Sequence, residues 1–280
     1  MTAAARPAAP LGRLVRVELR VELRRPRTLI MLAVLALLPV VIGLGVTTRG
    51  PSGAMGGAAT GLIAAVTQNG LMLPVAALGV ALALLLPLGV SIAAADALAG
   101  EAAHGTLRGL LLAPVSRPRL VGIKAFGVLV VAVLEVAVVT VSGLLAGLVI
   151  VGGGGQLLTL SGSSVGLGEA LTRVVMAAGW AVPQVAAVGA VALAVSALTD
   201  HPLVVMATVL GGAIVFGVLH AIPSLEWLHP VLLTSGWTSL ADVLRDPLPT
   251  DELTHSTLLA VCYLTVGLAV AVIGTLRREA

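Results

Sequence analysis

The sequence has little charge, few aromatic side chains and almost no cysteine or lysine. Charged residues make up 10% of the 280 and aromatics 2%, while 58% are hydrophobic and the mean hydropathy is +1.11. So few charges exclude an ordinary soluble domain, because a surface in water needs polar cover that a surface in lipid does not. The single cysteine, Cys262, lies in the last apolar run. No intrachain disulfide or cysteine-based metal cluster can form, and Cys262 reads as a packed bundle residue. The single lysine, Lys124, stands between Ile123 and Ala125. A P-loop needs Gly-Lys followed by Ser or Thr, so no nucleotide-hydrolysing site of that kind is encoded. The run Gly152 to Gly155 lacks a lysine and reads as flexible backbone. The net charge of +3 is small and carries no nucleic-acid footprint.

What is present is a series of continuous apolar runs, near the roughly 20 residues that a hydrocarbon core of about 30 Å demands. They lack the short alternating segments of a membrane β-barrel. The expected fold is all-α: a polytopic integral membrane protein with six transmembrane helices over about 28–46, 71–95, 119–150, 172–198, 203–222 and 256–276. Residues 1–10 are expected to form a disordered tail, and 11–280 a single transmembrane domain.

From Leu11 to Leu23 apolar residues at helical spacing face an arginine-rich side, with Glu18 and Glu22 among the arginines, which predicts an interfacial amphipathic helix that Pro26 bends into the first span. Pro74 and Pro87 predict kinks in the second span, and Asp96 its end. The third run, at about 32 residues or roughly 48 Å, exceeds the hydrocarbon, so its first turns should stand outside as a stalk. Glu135 lies near its middle. A carboxylate there costs about 2.5–3.5 kcal/mol on insertion scales and should face the bundle interior or a wet cavity. It is either a pathway or proton site or a hydrogen-bonded buried acid.

Residues 151–170 read as a Gly/Ser loop, Asp200 as the cap of the fifth span, and 223–255 as two short interfacial or re-entrant helices. The acids and histidines of this last segment match no metal-ligand spacing and read as a solvated rim. Seven basic residues precede the first span, four lie in the central loop and two at the C-terminus, leaving Arg49, Arg173 and Arg245 elsewhere. That is a positive-inside pattern with both termini cytoplasmic.

The central stretch from Asp96 to Lys124 gathers charge, glycine and proline between two apolar runs. Gly100 and Gly105 interrupt the helix leaving the membrane, and Thr106 can cap a short new one with Leu107, Leu110 and Leu111 on one face. Pro114 ends it, Ser116 can cap the next, and Arg117, Arg119 and Lys124 hold that helix at the surface. Physics alone leaves a membrane-resting helix, a span connector and a docking element open.

The run Gly100-Glu101, Gly105-Thr106-Leu107, Leu110-Leu111, Pro114-Val115-Ser116-Arg117 and Lys124 resembles the cytoplasmic loop of ABC type-2 permeases, the membrane subunits of one class of ATP-binding-cassette exporters. The resemblance implies a permease that forms the substrate pathway, with an elbow helix at its start. It also implies a coupling helix at Glu101, Gly105, Thr106, Leu107, Leu110, Leu111, Pro114, Ser116 and Arg117 that docks on a separate ATPase subunit. Two ATPase copies, a second permease copy or paralogue, membrane lipid around the spans and a bacterial plasma membrane follow from the same resemblance. The chain itself is expected to bind no cofactor, ATP being used by the partner. Two other classes compete. A secondary transporter would use Glu135 and Asp96, but no inverted repeat is visible. An intramembrane protease would need a serine and histidine such as Ser142 and His220, but no Gly-x-Ser-x-Gly elbow stands out.

Overall fold

The computed structural model describes residues 11–49, 63, 66–67, 69–103, 105, 116–152, 156–159 and 161–277. Helix α1, Leu11–Glu22, leads through a turn into α2, Pro26–Arg49, which Pro26 opens at a position where its missing N–H costs nothing. The second span is built in pieces. A short 3-10 turn, Gly70–Met72, is capped by Asn69, whose Oδ1 accepts from the Leu71 N–H at 2.8 Å. It continues as α3, Leu73–Ala83, and α4, Leu85–Ala95. The break falls at Leu84, because the ring of Pro87 takes the place of the N–H that the Ala83 carbonyl would have bonded. Pro74 sits in the first turn of α3 and breaks nothing.

The second span does not end at Asp96, as the sequence suggested. It loosens into a π turn, Asp96–Gly100, and resumes as Glu101–Ala103 before Gly105, at φ +72, turns the chain. A π turn shifts the backbone pairing by one residue, and here Ser196 of the fourth span serves the shifted groups. Its Oγ accepts from the Ala99 N–H at 2.9 Å and donates to the Ala95 carbonyl at 3.4 Å.

The third span, α5, runs Arg117–Ala146 and extends through a π turn, Gly147–Val151. Ser116 occupies its N-cap position but makes no side-chain cap bond. The segment read as a plain Gly/Ser loop contains a small antiparallel hairpin, β1 Gln156–Leu158 with β2 Ser164–Gly166, closed by Gly162 at φ +84. Then follow α6, Leu167–Leu198, and α7, Pro202–His220. The N-cap of α7 is His201 rather than Asp200, since Pro202 fixes the first helical position. Two 3-10 segments, Pro223–Val231 and Ser235–Leu244, precede the last span, α8, Asp251–Arg277.

Among the described residues six helices are long and apolar enough to cross a membrane, and the protein is an all-α polytopic membrane protein. α6 is the most enclosed of them and α7 the least. Helices in lipid gain little from hydrophobic burial against each other and rely on close backbone approach. Gly267 of α8 lies against the backbone of Ala190, where a Cβ would come within 2.8 Å, and Gly143 of α5 meets Pro74 of α3 equally closely.

Candidate functional site

At the end of the bundle that carries α1 and the last described turn of α8, the helical spacing of α1 brings Glu18 and Glu22 to one side, and that side faces inward. Val17 and Val21 face out. The sequence had left the two acids among the solvated arginines; the structure turns them onto the base of α5. Lys124, nearly buried, donates to both carboxylate oxygens of Glu18, at 2.9 and 3.2 Å, and lies 3.4 Å from Glu101 Oε1. Glu101 thus joins the end of the second span to the third at one residue and to the entry helix through the shared lysine. Gly127, one turn above Lys124, leaves room for the Glu18 stem, where a Cβ would sit 3.4 Å from Cγ.

A second group of charges continues the first. Arg25 pairs with Glu22 at 2.9 Å and reaches toward Asp96 at 3.9 Å, and Arg27 donates to Asp96 Oδ1 at 3.2 Å. Burial pushes the Glu22 carboxyl up to about 7, against the pull of Arg25 and Lys124 and with help from Glu18 and Asp96. Arg117 donates from Nη1 to the carbonyls of Thr275 and Leu276, at 2.9 and 2.8 Å. Those carbonyls lie in the last described turn of α8, where a cation is favoured. The entry helix, both ends of the central loop and the end of the last span are therefore tied together at one end of the bundle.

Of the expected coupling residues, Thr106, Leu107, Leu110, Leu111 and Pro114 lie outside the described residues. Glu101 and Arg117 are both engaged within the chain, Ser116 is exposed, and Gly105 is exposed at its positive φ. The sequence did carry one signal for Glu18: two acids one helical turn apart on an arginine-rich helix, in a chain with a single lysine.

Glu135 is inside the bundle, 1% exposed. Its Oε1 touches the place where Gly89 would carry a side chain, with Met31 beside them, so the first three spans enclose it. Among the described residues lie an apolar cavity of about 290 Å³ between α5, α6 and α8 and one of about 110 Å³ beside α7. Glu135 lines neither. Asp96 is held by arginines, and the Ser142 hydroxyl donates to the Val138 carbonyl of its own helix at 2.6 Å, the usual resting place of a helical serine.

At the opposite end, the buried Arg173 pairs with Glu169 at 2.7 Å and donates to the Arg245 carbonyl at 2.7 Å. Asp246 accepts from Ser163 Oγ at 2.8 Å, so the hairpin, α6 and the last 3-10 segment are clasped together. Trp180 and Gln184 of α6 both donate to Ser256 of α8, at 3.0 and 3.1 Å. The His220 and His229 rings lie 4.6 Å apart, a neighbour that the sequence did not suggest for His220.

Among curated proteins none matches the chain. A family model described as ABC-2 family transporter protein matches residues 15–198, from within α1 to the end of the fourth span, and so includes the charged residues of the network and the central loop but not the end of α8. The match covers well over half of the chain and agrees with its six spans, and the chain belongs to the ABC-2 transporter family, as a membrane permease of an ABC transporter.

Proposed function

We propose that the chain is the permease half of an exporter: residues 11–280 form one permease domain, paired with a second copy or a paralogue, that lines the substrate pathway and is driven by a separate ATPase subunit on each copy. Membrane subunits of this family typically work with an ATP-binding subunit and generally lack an ATPase site of their own. The observation that carries the reading is the charge network. A docked ATPase would pull on residues 104–116, and both ends of that segment are fastened, Glu101 to Lys124 and Arg117 to the end of α8. Force on the loop would pass to the second, third and sixth spans and to the entry helix. The positive-inside count favours a plasma membrane, bacterial by resemblance, with both termini in the cytoplasm.

In this reading Leu107 and Leu110 are the apolar knobs on the ATPase, and Glu135 is a packed acid. Replacing both leucines with Asp would put charge into a desolvated interface, at a cost of several kcal/mol. Leu107→Asp/Leu110→Asp should insert normally yet fail to assemble with the ATPase, while Glu135→Gln keeps most of the transport. Normal assembly of the double variant, together with transport lost in Glu135→Gln and driven by a proton gradient, would favour a secondary transporter that uses Glu135.

A further inference from the structure

The cavity of about 110 Å³ lies beside the least enclosed span, between α7, the second, fourth and sixth spans and the second 3-10 segment. Pro87, Val188, Val209, Ala213 and Phe216 form its apolar wall. The remaining lining includes Thr208, Thr234, Trp237 and Tyr263. Two of these four polar side chains are accounted for: Thr208 Oγ1 donates to Val204 O at 2.8 Å, and Tyr263 Oη donates to Val231 O at 2.9 Å. The other two are not. Thr234 Oγ1 and Trp237 Nε1 are buried atoms with no hydrogen-bond partner among the described residues.

Tyr263 stands about twelve residues into α8, and its bond to Val231 ties the chain before Thr234 to that helix. A buried polar group without a partner is costly. An indole N–H only donates, so whatever satisfies Trp237 must be an acceptor. The wall below it is aliphatic, and beside it Ile214, Val215 and Val218 of α7 face outward, as a span next to lipid would.

We infer that this cavity is a lipid site, in which an ester carbonyl of a membrane glycerolipid accepts from Trp237 Nε1 and Thr234 Oγ1 while its acyl chain lies along α7. Nothing in this depends on the ATP-driven reading, and the site works equally in a secondary transporter. A glycerolipid fits better than a free ion because the cavity offers two uncharged donors over an apolar wall. Water is the competing occupant, since the volume has room for more than one molecule.

The test is a titration of the purified full chain, in detergent, with a short-chain diacyl phosphatidylcholine and with its dialkyl ether analogue, read by native mass spectrometry. The ester lipid should bind saturably at one per chain and the ether lipid about tenfold more weakly, the scale of one or two lost hydrogen bonds. Trp237→Phe and the near-isosteric Thr234→Val should each bring the ester lipid toward the ether value and leave the ether lipid unchanged. Ala213→Leu, which fills the wall, should weaken both. Equal binding of ester and ether lipids, an unchanged preference in both donor variants, or no saturable binding would overturn the inference, the last leaving water as the occupant.

Discussion

Glu22 and Glu135 are both buried carboxyls with different surroundings. Glu22 sits in a cluster of charges outside the spans, where burial outweighs Arg25 and raises its pKa to about 7 from 4.5. The folded chain therefore holds a proton that the unfolded chain releases. Its contribution to stability is complete below about pH 4.5 and is lost as pH rises through about 7, by at most about 1.4 kcal/mol per unit. The thermal stability of the purified protein should fall with rising pH across that window, and Glu22→Gln, which cannot ionise, should flatten the fall. Equal slopes in the two proteins would contradict the assignment. Glu135 has no counter-charge among the described residues and lines neither of the two cavities described above. Its fit against Gly89 is steric, and this is why the neutral isostere Gln is expected to serve in its place.

At the scale of elements, the joint between α1 and α5 is the feature on which the rest of that end depends. Lys124 is nearly buried and shared by two acids, so removing it takes a cation from both. Lys124→Met keeps the stem and should destabilise the purified protein by about 3 kcal/mol, the scale for leaving a buried charge without its partner. In a double-mutant cycle Glu18→Gln should then add little to Lys124→Met, whereas full additivity of the two losses would show that the pair does not interact. Periodicity and run length made the six spans legible, and Pro26 marked the entry to the first. The joint was not legible. A helical pattern fixes which residues share a face but not which face meets the bundle, and Glu18 and Glu22 looked solvated because they lay among arginines. Likewise Pro87 announced a kink but not the π turn that directly follows α4 at Asp96–Gly100, whose backbone groups Ser196, distant in sequence, serves. The hairpin at 156–166 was hidden by its glycines and serines, which read equally well as loop.

For the whole molecule, the tie between Arg117 and the last turn of α8, with that between Glu18 and Lys124, puts the N-terminal helix, the central loop and the C-terminal end of the chain on one side. In the proposed orientation, which the positive-inside count favours, this side faces the cytoplasm. In a Cys262→Ala background, Ser116→Cys should resist an impermeant external thiol reagent in intact cells, and labelling there would reverse the orientation. In the proposed function the spans supply a pathway, the end network supplies a handle, and a separate P-loop subunit supplies the power. The most direct measurement is ATP hydrolysis by the tagged chain isolated from its own membranes, before and after stripping of any co-purifying subunit, with mass spectrometry for a P-loop in what is removed. The account predicts turnover in the intact complex, a P-loop subunit in equal number to the permease, and no turnover by the stripped chain. Turnover by the homogeneous chain, or a chain that transports on a proton gradient with no P-loop subunit attached, would contradict it.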